Sequence, residues 1–291
     1  MLNIIVNPIA GGKSGRKIKK TLSTVEKYLQ KNKIEYKVFP SKYKGHAQIL
    51  TDEVINSGAD NIIVMGGDGT IHEVINGFSN FDNVSLGIIP CGTGNDFVSS
   101  LNIPLDPIKA LEIILNGNTK FVDYMQMPTV RGINIIGMGI DVDVLVKYSK
   151  LKNKNKLGYA WCLIKTLMNF EYSNFKATVD GAQKEYCSFI AAIANGKQYG
   201  GGIKICPPAN PLDNSLDFLV VNQIPKNKIL GKLINLLSGK IMSFPETEHI
   251  TCKKIKIETP TPYTIQVDGE LYNDIPFEVE LISNQLKVFI N

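Results

Sequence analysis

Apolar positions recur with different periods in the two halves of the chain. Residues 2–7 form a short apolar run that ends at Pro8 and a glycine pair. Ile18, Leu22, Val25 and Leu29 then repeat at spacings of 4, 3 and 4, which marks one face of a helix. Residues 34–39 predict a strand, and Ala47, Leu50 and Val54 a second helix after Gly45. A buried strand at 62–65 precedes Gly66–Gly69, and Ile71, Val74, Ile75 and Phe78 face inward from the helix that follows. A further strand at 86–89 leads into the turn 91–96 and more helix. This alternation predicts an α/β domain over residues 1–125, built on a parallel sheet covered on both faces.

Beyond Phe121 the pattern shortens. Strand-like runs at 121–127, 133–137, 189–195, 216–221, 255–258, 263–267 and 277–281 are separated by turn residues, as an antiparallel sandwich requires. Helical intervals near 157–170 and 226–242 interrupt them. Residues 126–291 are therefore expected to form a second, mainly β sandwich domain. No internal repeat or low-complexity linker separates the halves.

Composition narrows the partners. The chain has 291 residues, enough for two cores, with 44% hydrophobic and 20% charged residues and a net charge of +5. That charge suits nucleotide phosphates or an anionic membrane surface without selecting either. Arg16 and Arg131 are the only arginines, which argues against a protein that reads nucleic-acid bases through arginine forks. Cys91, Cys162, Cys187, Cys206 and Cys252 form no zinc-type spacing and read as reduced thiols. The start lacks a signal-peptide pattern, and no apolar run approaches the ~18 residues that span a bilayer. The expectation is a cytoplasmic protein that visits the inner membrane face from outside if its substrate is a lipid.

Three glycine turns follow first-domain strands, at the end of an α/β sheet where ligands bind. In NPIAGGKSGR (7–16), GKS resembles a Walker loop, but Asn7 stands where the first glycine is needed, so that reading fails. The turn can still offer N–H groups to phosphate, helped by Lys13 and Arg16, or be a plain tight turn. In GGDGTIHE (66–73), three glycines let the backbone approach phosphates, and Asp68 is placed to hold their metal. The competing structural reading makes Thr70 and Glu73 a capping box and Asp68 an Asx turn. In PCGTGNDF (90–97), Thr93 could contact phosphate, while Asn95 and Asp96 could be no more than N-caps.

GGDGT followed by PCGTGNDF resembles the diacylglycerol kinase catalytic-domain family, which includes soluble bacterial lipid kinases and sphingosine kinases. NPIAGG, SKYKGHA (41–47), NIIGMGIDVDV (134–144), NGKQYGGGIKICPPANPLDNSLD (195–217) and QVDGELY (266–272) extend the resemblance over nearly the whole chain. It implies an NAD kinase/phosphofructokinase-like first domain that binds ATP. Asn7, Pro8, Ile9, Ala10, Gly11, Ser41, Gly66, Gly67, Asp68, Gly69, Thr70, Ile71, His72 and Thr93 would line the ATP site. It also implies that VDGE reaches an interdomain cleft, where Asp268 or Glu270 accepts the proton of a lipid hydroxyl. Asp68, with Asp96 as a weaker candidate, would organise Mg²⁺. Locally, Asp268-Gly269 also reads as a hairpin turn, and both readings can hold. A structural Mg²⁺ site is implied at Asn210, Asp213 and Ser215. There Asp213-Asn214 replaces the usual Asp-Gly, and Asn tolerates the left-handed conformation that glycine would supply.

The expected substrate is diacylglycerol. A sphingoid base, phosphatidylglycerol, NAD or a polyol, and a non-catalytic nucleotide- or lipid-binding regulator, remain as alternatives. Lys147, Lys150, Lys152, Lys154 and Lys156 precede the apolar stretch 158–170 with the only tryptophan, and Lys226, Lys228, Lys232 and Lys240 surround Ile229, Leu230, Leu233 and Leu237. Either stretch could make transient contact with an anionic membrane, or be a solvated loop and a core helix. The oligomeric state, a homodimer among the options, stays open.

Overall fold

In a computed structural model of the chain, the described residues are 1–9, 15–151, 156–168, 170–225, 228–229, 231–232, 235 and 238–291. They divide into two units. The first comprises Met1–Tyr124, Pro211–Asp213 and Ile282–Asn291, and the second Met125–Asn210 and Asn214–Leu281. The first break falls between Tyr124 and Met125, and the second half is not continuous: 211–213 and the last ten residues return to the first unit.

The first unit runs β1 (Leu2–Val6), α1 (Arg16–Lys31), β2 (Tyr36–Pro40), α2 (His46–Asn56), β3 (Asn61–Gly66), α3 (Asp68–Asn76), β4 (Ser85–Pro90), α4 (Asp96–Ser100), α5 (Pro107–Asn116) and β5 (Thr119–Gln126). The sheet order β2-β1-β3-β4 is parallel throughout, and Lys287–Val288 of the final strand add in parallel beside β4. That last pairing is why the C-terminus belongs to this unit.

Period-2 alternation splits the strand residues between two faces. Ile4, Val6, Ile63, Met65 and Ile89 pack under Ile18, Val25 and Leu29 of α1 and Leu111 and Ile114 of α5. Ile5, Ile62 and Val64 point the other way, where α2 and α3 bury Ala47, Leu50, Val54, Ile71, Val74 and Ile75. Truncating one of these aliphatic side chains to alanine costs about 2–5 kcal/mol. The helix boundaries follow local chemistry. At α5, Asp106 accepts from Ile108 and Lys109 N–H at 3.0 and 2.9 Å, Pro107 occupies the first turn, and Gly117 closes the helix at φ 77°.

The second unit contains β6 (Arg131–Gly132), β7 (Ile135–Gly139), α6 (Ile140–Ser149), α7 (Lys156–Met168), β8 (Ser173–Val179), β9 (Ala182–Ala194), β10 (Leu216–Asn222), β11 (Thr247–Cys252), β12 (Lys254–Glu258), β13 (Thr264–Val267), β14 (Glu270–Asn273) and β15 (Glu278–Phe289), whose end crosses into the first unit. Neighbouring strands are antiparallel. The first half of β9 pairs with β8, and its second half lies between β7 and β10. Ile136, Met138, Ala191, Ile193, Phe218 and Val220 share one core with Phe175, Ala177, Ile255, Ile257 and Val279. Their alternates Ile135, Ile190, Ala192, Leu219 and Val221 share another with Ile140, Val144, Cys162 and Leu163 of α6 and α7. A sandwich with helices over one outer face results.

Helix α6, read from sequence as part of a β-rich stretch, starts after Gly139 at φ 102°. Asp141 and Asp143 sit in its first turn, where the helix dipole favours carboxylates. Strands β8 and β11 are further elements that the apolar pattern does not mark, whereas β14 is the second strand of the hairpin read at Asp268-Gly269. Much of the interval 226–242 lies outside the described residues.

Candidate functional site

The first candidate site forms where β3 and β4 end. The two strands are parallel neighbours with Gly66 opposite Pro90, and Cys91 N–H donates to Gly66 O at 2.7 Å, so their loops leave the sheet side by side. They touch backbone to backbone: a Cβ on Gly67 would fall 2.8 Å from Gly92 Cα, and one on Gly92 would fall 2.6 Å from Gly67 Cα. At Gly66 a Cβ would collide with Thr70. Close packing accounts for these glycines before any ligand is considered.

Asp68 opens α3 and reaches across to the other loop, where its Oδ1 accepts from Asp96 N–H at 2.8 Å and, more weakly, from Phe97 N–H at 3.4 Å. It therefore caps α4 rather than making an Asx turn. Asn95 occupies the N-cap position of α4 at φ 53°, but its side chain holds Gly92 through N–H···Oδ1 at 3.0 Å and Nδ2–H···O at 3.2 Å. The capping box is also corrected. Gly67, not Thr70, precedes α3, and Thr70 Oγ1 accepts from Asn7 Nδ2 at 3.2 Å. Glu73 caps a different helix: its carboxylate accepts from Gly45 and Ala47 N–H at 2.8 and 3.1 Å, at the start of α2.

Burial pushes the Asp68 carboxyl up to about 6, and the neighbouring Asp96 charge adds to the effect, against the pull of the backbone N–H groups. The Oδ2 atoms of Asp68 and Asp96 flank Gly94: a Cβ there would lie 2.9 and 3.0 Å from them. Two neighbouring carboxylates, with oxygens turned to a side-chain-free position, suit a hard divalent cation such as Mg²⁺.

The other predicted nucleotide contacts are distributed unevenly. Asn7 is joined to Thr70, and its Oδ1 accepts from Ile9 N–H at 3.2 Å. Ser41 is buried beside β1, donating its N–H to Val6 O at 2.8 Å. Pro8 sits under Gly15, where a Cβ would meet Pro8 O at 2.4 Å, and Ile9 is exposed. Thr93 is exposed in its loop and Gly69 in the first turn of α3. Ile71 and His72 turn their side chains into the interior, so the expectation that they line a ligand surface is met by backbone at most. Ala10 and Gly11, with Lys13, lie outside the described residues.

In the second unit, Asp268 and Gly269 form the two-residue turn between β13 and β14, with φ 53° and 88° and Val267 paired to Glu270. Both conformations are left-handed, the geometry expected of Asp-Gly. The Asp268 carboxylate accepts from Ile133, Asn134 and Ile135 N–H at 2.9, 2.8 and 3.2 Å, and Asp268 N–H donates to Ile135 O at 3.0 Å. These bonds tie the carboxylate to the backbone of 133–135 and so fix the turn. Glu270, half-buried, follows directly as the first residue of β14.

Sequence reasoning missed two residues inside the motifs NIIGMGIDVDV and QVDGELY. Asp141 is 3% exposed and Gln266 1%. Burial pushes the Asp141 carboxyl up to about 7; Val142 N–H and the Gln266 amide lie near enough to draw it part of the way back without meeting strict hydrogen-bond geometry. A glutamine between the buried Ile265 and Val267 was the available clue.

At the predicted metal turn 210–215, Asn214 adopts φ 59°, the left-handed conformation expected of the residue that replaces glycine. Asp213 falls in the first unit and Asn210 and Ser215 in the second.

On α7, Trp161 and Ile164 are exposed and Lys165 Nζ stands 4.9 Å over the Trp161 ring, whereas Lys147 Nζ donates to Thr166 Oγ1 at 3.0 Å. In the other basic stretch, Ile229 is buried and Lys232 pairs with Glu246. Lys152, Lys154, Lys226, Leu230, Leu233 and Leu237 lie outside the described residues. Among the described residues, no helix is long and apolar enough to cross a membrane, and all five cysteines are unpaired.

Comparison with known proteins matches residues 1–127 to the diacylglycerol kinase catalytic domain. Residues 134–290 match the YegS C-terminal NAD kinase beta sandwich-like domain. A Bacillus subtilis protein named "Putative lipid kinase YtlR" is 27% identical over 304 residues, covering 98% of this chain and 97% of its own. A Staphylococcus epidermidis protein bearing the same lipid kinase description is 28% identical over 278 residues, covering 93% of this chain and 89% of its own. A crystal structure from Bacillus anthracis, described as a diacylglycerol kinase, superposes with a TM-score of 0.76 at 27% identity, covering 100% of this chain and 96% of that one.

Proposed function

Since the chain belongs to the family that joins a diacylglycerol kinase catalytic domain to a YegS-type sandwich-like domain, a family of lipid kinases, we propose that it transfers the γ-phosphoryl group of ATP to the hydroxyl of diacylglycerol. The observation that carries this reading is the Asp68–Asp96 pair, held between two glycine loops at the carboxyl ends of adjacent parallel strands. Likeness to the Bacillus anthracis protein, described as a diacylglycerol kinase, supports the choice of acceptor.

Each residue then has a task. The loop 66–69 and the start of α3 offer N–H groups and a positive dipole end to phosphate. Asp68 and Asp96 would hold Mg²⁺, which when bound would supply charge neutralisation at the transferred phosphoryl. The lipid hydroxyl oxygen bonds to γ-phosphorus as the bond to the β–γ bridging oxygen breaks, ADP leaves, and the hydroxyl proton passes to a carboxylate. Glu270 is the better acceptor of that proton, because Asp268 already accepts three backbone N–H groups and serves to hold the turn. Trp161, Ile164 and Lys165 form an amphipathic surface on α7 suited to transient contact with an anionic membrane at its inner face.

The test is an acceptor panel with labelled ATP and Mg²⁺: dioleoylglycerol, sphingosine, phosphatidylglycerol, NAD and glycerol, each with mixed micelles containing anionic lipid. Phosphatidic acid as the dominant product, lost in D68A, supports the reading. Dominant labelling of another acceptor would replace diacylglycerol while keeping the kinase.

A further inference from the structure

The turn that carries Asp268 and Glu270 is fastened on its second side by Gln266, whose Oε1 accepts from Gly269 N–H at 2.7 Å. A carboxamide can do this in only one of its two orientations. Rotated by half a turn, it would present NH₂ to an N–H group, two donors face to face. Something must therefore hold the amide the right way round.

Gln266 lies opposite Gly137 in the β13–β7 pairing. A Cβ at position 137 would fall 2.8 Å from Gln266 Nε2 and 2.1 Å from Asp141 Oδ2. The amide nitrogen and the carboxylate thus meet over the same bare Cα, in a space that only glycine leaves open. Neither the Asp141 oxygens nor Gln266 Nε2 has a hydrogen-bond partner of strict geometry among the described residues. A donor and an acceptor, each deeply buried and otherwise unsatisfied, gain most by pairing, directly or through one water.

We propose that Asp141 is a positioning residue: its carboxyl group sets the orientation of the Gln266 amide, and Gln266 in turn pins Gly269 and the turn that presents Glu270. The kinetic part rests on the lipid kinase reading above, whereas the structural part does not. Asp141 need not touch substrate. Either protonation state keeps an oxygen able to accept from Nε2, so the orientation survives across neutral pH.

An exchange of donor and acceptor tests this in the full-length protein. Q266E sets two carboxyl groups against each other, and D141L removes the acceptor. D141N alone keeps an amide oxygen for Nε2 and is expected to be mild. D141N/Q266E restores a donor–acceptor pair in the reverse sense while an oxygen still faces Gly269 N–H. Two readouts are taken. Exchange of the Gly269 amide hydrogen should accelerate about tenfold or more in Q266E and D141L, as local opening becomes easier, and return towards wild type in the double variant. Lipid phosphorylation should lose about 30-fold in kcat, the order expected when a reacting group is misplaced, with KM for ATP within about twofold, and recover in the double variant. If Q266E fails to fold, D141L against D141N carries the same contrast.

Unchanged Gly269 exchange in D141L and Q266E, or a double variant that restores neither readout, overturns the proposal. If the exchange pattern appears as expected but wild type phosphorylates no lipid, the positioning role stands and the kinase reading falls.

Discussion

Asp68-Gly69 and Asp268-Gly269 are the same dipeptide put to two uses. At 68 the aspartate opens a helix, reaches into the neighbouring loop and lies beside a second carboxylate. At 268 it turns a hairpin and is surrounded by backbone N–H donors. Buried against Asp96, Asp68 is strained electrostatically, with a carboxyl pushed up to about 6. The Asp268 carboxylate is satisfied by its neighbours. A crowded pair of carboxylates invites a cation, whereas a saturated one fixes a backbone. An aspartate's role is thus decided less by its motif than by what its two oxygens accept.

Altering each carboxylate in turn separates the two uses. D68A is expected to lower lipid phosphorylation by ~10³-fold or more, since it removes a group proposed to hold the phosphates' metal. E270Q should cost ~10²–10⁴-fold in kcat, the range for a proton acceptor. D268N should act differently, lowering activity together with melting temperature, because one of its side-chain atoms would face backbone N–H groups as a donor. Equal kinetic losses in E270Q and D268N without any change in stability would erase the distinction.

Glycine substitutions probe the same contrast at smaller magnitude. G67A drives a methyl onto Gly92 backbone at 2.8 Å and should destabilise the first unit by about 1–3 kcal/mol. G269A meets nothing within 4 Å and carries only the strain of φ 88°, about 1 kcal/mol. Thermal or urea unfolding of the two variants checks the order.

A further expected effect concerns pH. Asp68 titrates near 6 in the folded protein against an ordinary 3.8, so between these values the folded state binds more protons than the unfolded one. Stability from this group therefore falls as pH rises from about 4 to 6 and stays low above. D68N lacks that titration, so its unfolding free energy should gain on wild type across this window, by at most about 3 kcal/mol at neutral pH. A gap independent of pH would show that Asp68 is not electrostatically stressed.

Much of the fold was legible because the strands obey simple periods. Ile62–Met65 is a continuous apolar run, as a strand covered on both faces must be, and Asp268-Gly269 was readable as a hairpin turn. What stayed hidden depends on contacts distant in sequence. The pattern T-x-x-E is chemically a capping box, yet Glu73 caps the helix that starts 27 residues earlier at His46, which no local window contains. Asn95 stands at an N-cap position while Asp68 performs the capping. The return of 282–291 to the first unit follows from one strand pairing beside β4. Asp141 and Gln266 escape a reading by motif because their meaning lies in facing each other across Gly137, 125 residues apart in the chain (266 less 141).

On the proposed function the two Asp-Gly segments divide the labour, one to hold the nucleotide's metal and the other to present the proton acceptor, and a paired measurement decides between division and overlap. Binding of Mg²⁺–ATP by calorimetry and transfer to dioleoylglycerol in a single turnover are measured for wild type, D68N and E270Q. D68N is expected to lose Mg²⁺–ATP affinity and transfer together, while E270Q binds Mg²⁺–ATP as wild type does and fails to transfer. Full nucleotide affinity in D68N, or undiminished transfer in E270Q, would refute the division.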